Sequence, residues 1–417
     1  MKPAQFTLKG AIRPNILSLE PYRSARDDYQ DGILLDANEN ALGHALPPPA
    51  SSSAATDDTS AFDQLDLHRY PSPVHEPLKQ QICKFRNLPS PRNIFLGVGS
   101  DEAIDLLFRI TCTPGRDRVL VCPPTYGMYG VCAHINDVDV VKVNLDARDG
   151  NFLPNINKVL SDAASSPNPI KLVFLCSPGN PTGTAIPLDD VRAILANPDY
   201  KGLVVVDEAY IDFAPQGSTA VNLLVQEGWS NLVVMQTLSK GFGLAAIRYK
   251  RPHPPNRFCN NIELTKFRAR RLGLAFSSPE IIQVLNNIKA PYNVSTPTAA
   301  LASRALSDQG LTLFRKNIAT LIDNREYLRQ NLLELPNVLR ILGANHGNFL
   351  MAQVGTNGQP DNEKAQRIYK TMASDQKVVV RFRGNEYGCA ACLRITVGTR
   401  QECDVLLEKL RMLLQDN

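Results

Sequence analysis

The sequence predicts an α/β protein: a large domain built on a mostly parallel sheet sandwiched by helices, followed by a smaller α+β domain. Three observations carry this. From about residue 75 to 300, short β-branched apolar runs alternate with helical segments. Those runs are apolar nearly throughout, as strands covered on both faces must be, rather than at every second residue. After Pro297 the pattern changes to a long helical stretch and then to further strands.

The elements follow in order. Residues 1–66 read as an N-terminal arm that ends in HALPPPASSSAATDDTSAFDQLD (44–66), a solvated loop without periodicity. Residues 67–296 form the large domain, with strands at Arg118–Cys122, Val138–Val143, Lys171–Cys176, Leu203–Asp207, Leu232–Thr237 and Leu272–Phe276. Residues 297–417 form the small domain. It opens with one helical stretch, TAALASRALSDQGLTLFRKNIATLIDNREYLRQNLLEL, continues with strands at 337–342, 348–354, 377–382 and 392–397, and closes with an amphipathic helix at about 401–415.

Composition bounds the function classes. The 417 residues carry 45 Lys and Arg against 41 Asp and Glu, a formal charge of +4, and 43% are hydrophobic. That apolar fraction supports a packed core and excludes global disorder. No run of about 18 uncharged apolar residues occurs, so neither a membrane-spanning helix nor a membrane partner is expected. The opening MKPAQFTLKGAIRP lacks the apolar stretch of a secretory leader. A charge of +4 is too mild to argue for nucleic acid. The nine cysteines are odd in number, and several lie in apolar runs such as RVLVCPP and KLVFLCS, which fits reduced thiols of a cytoplasmic enzyme. Cys389 and Cys392 form a lone CxxC with no second pair and no nearby histidine, so no metal is assigned.

The strongest chemical signal is LVVMQTLSKGFGLAAIR (232–248). A buried strand ends in Thr-Leu-Ser-Lys and enters a Gly-rich turn. A lysine at such an edge, walled by apolar sequence, loses solvation and proton affinity, which suits attack on a carbonyl. Lys240 alone would read as a surface lysine, but it has company. In LVVVDEAYIDF, Asp207 ends another buried strand, where a carboxylate is costly unless it meets a cation. A protonated pyridine nitrogen is such a cation, and Tyr210 can donate to a phenolate oxygen. The turn FLCSPGNPTG (174–183) presents Asn180 as a second donor to that oxygen. In GVGSDEAIDLLFRI (97–110), Ser100 reads as the N-cap of an apolar helix whose first N–H groups cradle an anion. The third glycine of a dinucleotide fingerprint is missing, and a phosphate monoester fits better. In CPPTYGMYG, Tyr126 follows a strand, where its ring can stack on a flat cofactor.

These five motifs, in this order over 97–248, resemble the fold-type I aminotransferases that use pyridoxal 5′-phosphate. PYRSAR (21–26), LLDANEN (34–40), HRYP (68–71), APYNVSTP (290–297) and CLRITVGT (392–399) resemble one family within them, the histidinol-phosphate aminotransferases. The resemblance covers roughly 14–415. It implies that Lys240 carries the cofactor and shuttles the substrate proton, that Asp207 keeps the ring nitrogen protonated, and that Asn180 and Tyr210 bind the ring oxygen. It implies Tyr126 on the ring face, and the backbone at Ser100 and Asp101, the Thr237 and Ser239 hydroxyls and Arg248 around the phosphate. Tyr70, in HRYP, would reach the partner subunit's cofactor, which implies a homodimer. The substrates would be histidinol phosphate and glutamate or 2-oxoglutarate. Arg394 and Arg381 match the family's anion-binding arginines, although Arg383 lies beside the latter. Tyr22 would close over the substrate phosphate.

One segment departs from the family pattern. YKRPHPPNRFCNNIELTKFRARR (249–271) separates Arg248 from Leu272, where the family runs directly into a strand of the type LGLAF. Its seven basic residues and one acidic residue give it +6, which leaves the rest of the chain at −2. One reading is a surface insertion. The other, favoured on the sequence, is an intron retained in frame, because removing 249–271 restores GLAAIR–LGLAFSSPEII without a break. Arg248 keeps the spacing to Lys240 and Arg271 keeps the spacing to the strand; Arg248 is expected at the phosphate. The competing functions are a threonine-phosphate decarboxylase or aromatic aminotransferase of the same subgroup, or a non-catalytic protein of this fold disabled by the segment.

Overall fold

The computed structural model describes residues 3, 5–21, 40, 65, 67–164, 168–245 and 271–415. The expectations for Tyr22, Arg248, nearly all of the 44–66 loop and the segment 249–270 lie outside these residues.

Seven strands form the central sheet: β1 (Ile94–Val98), β2 (Arg118–Val121), β3 (Asp139–Lys142), β4 (Ile170–Cys176), β5 (Leu203–Asp207), β6 (Leu232–Thr237) and β7 (Leu272–Phe276). Their order is β1-β7-β6-β5-β4-β2-β3. β2 to β6 run parallel, and β7 is antiparallel to both of its neighbours. Helices cover both faces, among them α1 (Glu76–Arg86), α2 (Gly99–Thr111), α3 (Met128–Ile135), α4 (Ile156–Ala164), α5 (Leu188–Leu195) and α6 (Pro279–Ile288). The continuous apolar strands are explained by this double cover. Leu172 and Phe174 of β4 enter one core, whereas Val173 and Leu175 enter the other. β5 divides in the same way, with Leu203 and Val205 on one side and Val204 and Val206 on the other.

Two further helices, α7 (Thr296–Ala305) and α8 (Asp308–Leu333), lead into the second sheet. The expected single helical stretch is broken at Leu306–Ser307, where the Ser307 side chain caps α8 by accepting from the Gly310 N–H. The second sheet is antiparallel: β8 (Val338–Leu342), β9 (Phe349–Thr356), β10 (Gln359–Pro360), β11 (Arg381–Phe382) and β12 (Cys392–Thr396). With α8, α9 (Asn362–Ser374) and α10 (Arg400–Gln415), it encloses its own core around Leu350, Leu393 and Leu410. The strand expected at 377–382 is confined to Arg381–Phe382. β1 has no counterpart among the expected strands; it sits directly before GVGS and pairs with β7. The parallel strands β4, β5 and β6 end at Cys176, Asp207 and Thr237, along the carboxyl edge where open α/β sheets place their ligands.

Candidate active site

A cleft of about 610 Å³ opens at this edge and is closed on the other side by the second sheet. The central sheet's edge contributes Ser100, Asp101, Tyr126, Asn180, Asp207, Tyr210, Thr237, Ser239 and Lys240, and the second sheet contributes Arg381, Arg383 and Arg394. Residues spread over nearly three hundred positions therefore meet as the sequence expects. Tyr70 does not line this cleft; it is 53% exposed and stacks on Tyr292 at 4.7 Å between centroids.

Lys240 follows β6, in a turn that leaves no room for a side chain at Gly241, because a Cβ there would run into the Asp212 carboxylate. Arg86 holds that carboxylate through a 2.7 Å ion pair. The lysine Nζ lies 5.5 Å from the centroid of the Tyr210 ring. Burial first, then the positive charges of Arg271 and Arg394, lower its proton affinity.

Asp207 is buried at the end of β5. Its Oδ2 accepts a 2.7 Å hydrogen bond from the Tyr129 hydroxyl, and its Oδ1 accepts from the Ala209 N–H at 3.3 Å. Burial pushes its carboxyl up to about 6, against the pull of these donors. No ion-pair partner for Asp207 occurs among the described residues. The neighbouring Glu208 faces the other way and is a structural anchor, bonded by Thr219 Oγ1 and Gln236 Nε2. Tyr129 was not foreseen. Its signal was the second aromatic of YGMY, three residues after Tyr126 and in the first turn of α3.

The anion cradle differs from expectation in detail. The N-cap of α2 is Val98, not Ser100, which lies in the first turn; the Glu102 carboxylate takes the Val98 N–H. Gly99, with φ +73°, donates its N–H to the Arg271 carbonyl at 2.8 Å. β7 presses so closely here that a Cβ on Gly273 would overlap the Gly99–Ser100 peptide. The first N–H groups of a helix have no partner within it, so those of Ser100 and Asp101 remain for a ligand. Thr237 Oγ1 lies 2.9 Å from Ser239 Oγ at the same end of the cleft. The described arginine in this region is Arg271. Tyr126 is fixed by its hydroxyl, which donates to Asp101 Oδ1 at 3.0 Å, and its ring meets Tyr129 edge-on at 5.7 Å.

Asn180 joins the two sheets. Its Oδ1 accepts from Arg394 Nη1, and Arg394 also stands 5.4 Å over the Phe349 ring. The turn that carries Asn180 is tied by the Gly179 N–H to the Thr184 carbonyl, and Gly343 packs against it without room for a side chain. Phe349 meets the Tyr210 ring edge-on at 5.1 Å. Burial lifts the Tyr210 hydroxyl to about 12, which keeps it a donor.

A desolvated lysine, a buried carboxylate, a helix-start cradle and a cluster of arginines in one cleft are the parts of a carbonyl-based amino-transfer site. The family model "Aminotransferase class I and II" matches residues 30–249 and 267–410, passing over 250–266. Histidinol-phosphate aminotransferase from Candida maltosa is 44% identical, with 99% of each chain covered. The enzyme of that name from Schizosaccharomyces pombe is 41% identical, covering 99% of this chain and 98% of its own. The chain belongs to the class I and II aminotransferases and, within them, to the histidinol-phosphate aminotransferases. The crystal structure of histidinol-phosphate aminotransferase from Sinorhizobium meliloti, in complex with pyridoxal-5′-phosphate, shares the fold at a TM-score of 0.69 and 23% identity, over 91% of this chain and 90% of that one.

Proposed function

We propose that this chain transfers an amino group between L-histidinol phosphate and 2-oxoglutarate, giving imidazole-acetol phosphate and L-glutamate, with pyridoxal 5′-phosphate as its cofactor. The observation that carries this reading is the convergence of Lys240, Asp207 and four arginines on one cleft.

The residues present fit the cofactor. Asp207 is a buried carboxylate in want of a cation, which a protonated ring nitrogen supplies. The Ser100–Asp101 backbone, the Thr237 and Ser239 hydroxyls and Arg271 offer a phosphate more donors than a surface turn would. Arg271 lines the cleft beside the cradle, whereas Arg248, which the spacing to Lys240 favours for this role, lies outside the described residues. Tyr126 would flank the ring, and Asn180 and Tyr210 would meet its oxygen. When bound, the cofactor supplies an electron sink for the negative charge that develops at the substrate's Cα.

The chain's own residues do the rest. Lys240, with its lowered proton affinity, is the base that removes the Cα proton and the acid that returns it. Tyr129 keeps Asp207 ionised, and Asp207 keeps the ring nitrogen protonated. Arg381 and Arg394 take the glutamate carboxylate in one half of the cycle and the substrate phosphate in the other. The exposed Tyr70 fits a homodimer in which it reaches the partner subunit's cleft. No helix among the described residues is long and apolar enough to cross a membrane, and the cytoplasm is the proposed location.

The test is glutamate formation from histidinol phosphate and 2-oxoglutarate, compared with phenylalanine and threonine phosphate as donors. Preferred turnover of histidinol phosphate, lost in Lys240→Ala, supports the reading. Carbon dioxide release from threonine phosphate as the main reaction would overturn it.

A further inference from the structure

β11 and β12 pair so that Arg381 stands opposite Arg394 and Phe382 opposite Leu393. The pairing runs one residue further, because the Arg383 N–H donates to the Cys392 carbonyl at 2.8 Å. Side chains alternate along a strand, so Arg383 shares a face with Arg381 while Phe382 packs into the core behind. All three guanidinium groups therefore reach the same cleft. Arg383 is distinct in how it is held. Its Nη1 forms a 2.6 Å ion pair with Glu386 Oε1, whereas its Nε is buried and has no partner among the described residues.

We propose that Arg383 is a third anion-binding residue that sets the preference for a phosphate monoester over a carboxylate. The inference rests on the functional reading above and deepens it. The three arginines and Glu386 sum to two positive charges, the charge that balances a phosphate monoester near neutral pH. A carboxylate carries one charge and two oxygens, which Arg381 and Arg394 suffice to hold. The phosphate's third oxygen and second charge are what Arg383 takes up. Glu386 is a positioning residue: by engaging Nη1 it fixes the guanidinium plane at the edge of the cleft.

The experiment measures KM and kcat separately for histidinol phosphate and for glutamate, using the cofactor-loaded enzyme and its Arg383→Gln variant. It also measures competitive inhibition by inorganic phosphate, which requires no turnover of the ligand itself. One charge-assisted contact corresponds to roughly tenfold or more in affinity. The expected result is a KM for histidinol phosphate and a Ki for phosphate both raised roughly tenfold or more, with KM for glutamate within about twofold and kcat little changed. Arg383→Lys, which keeps the charge and the pairing with Glu386, should fall between. Equal losses for both substrates, or no loss for either, would overturn the proposal. So would a misfolded Arg383→Gln protein accompanied by an Arg383→Lys enzyme of wild-type phosphate inhibition. If the unmodified enzyme fails to turn over histidinol phosphate at all, the functional reading falls first, which is a separable outcome.

Discussion

The Tyr129 hydroxyl donates to Asp207 Oδ2 at 2.7 Å, and both side chains are buried. This bond opposes the effect of burial on the carboxylate. Burial favours the neutral carboxyl, and Tyr129 is the largest opposing influence. Tyr129→Phe should leave the fold intact and weaken the binding of pyridoxal 5′-phosphate roughly tenfold or more, the usual effect of removing a hydrogen bond to a charged group. Absorbance titration of the cofactor-free protein measures this. Wild-type affinity in the variant would contradict the assignment.

Asp207 also gives a pH dependence with a definite sign. Its folded value of about 6 lies above the roughly 3.9 of an unfolded aspartate. Between these values the folded, cofactor-free protein binds more protons than the unfolded chain, so stability is present at low pH and lost as pH rises through 6. Against Asp207→Asn, the cofactor-free protein should lose about 2 kcal/mol between pH 4 and pH 7. Denaturant unfolding of both proteins across that range checks this; a pH-independent difference would count against it.

Gly273 is where the sheet meets the phosphate cradle, and a Cβ there overlaps the Gly99–Ser100 peptide. Gly273→Ala should cost about 1–3 kcal/mol of stability through overpacking and displace the cradle, lowering cofactor affinity more than substrate affinity. Thermal unfolding with and without pyridoxal 5′-phosphate measures both. A stable variant with unchanged cofactor affinity would show that the contact gives way at no cost.

Much of this was legible in the sequence, for reasons that particular residues show. Val204 and Val206 face one core while Leu203 and Val205 face the other, so the apolar run itself announced a doubly covered strand. Lys240, Asp207 and Asn180 each follow such a run, where the carboxyl ends of parallel strands must converge. β1 was missed because IFLGV merges into the small residues of GVGS, and its place beside β7 is a long-range pairing that local pattern does not carry. Ser100 looked like a cap because serine caps helices often, yet Glu102 does the capping from inside the helix. Tyr129 was hidden because its bond to Asp207 joins positions 78 residues apart. The choice between Arg248 and Arg271 turned on spacing alone, and the structure brings Arg271 to the cleft.

The segment 249–271 is extra to the family pattern, and the family match passes over most of it. Deleting it leaves Arg248 to continue directly into Leu272, at the position Arg271 now holds. The variant should fold and bind pyridoxal 5′-phosphate at least as tightly. Shortening the β6–β7 connection from 34 residues to 11 should gain about 1 kcal/mol of loop-closure entropy. Thermal unfolding and cofactor titration of the deletion variant measure this. A variant that cannot fold would make the segment an integral part of the protein. Sequencing the spliced transcript addresses its origin: a message that keeps these codons as the major form contradicts a retained intron.

The proposed function requires that this cleft transaminate a phosphorylated amine held by arginines. The most direct measurement is the ratio of kcat/KM for histidinol phosphate to that for histidinol, with 2-oxoglutarate as acceptor. Losing a phosphate from a site with several charge-assisted donors should lower kcat/KM roughly a hundredfold or more, with Lys240→Ala inactive on both. Equal values for the two amines would contradict it.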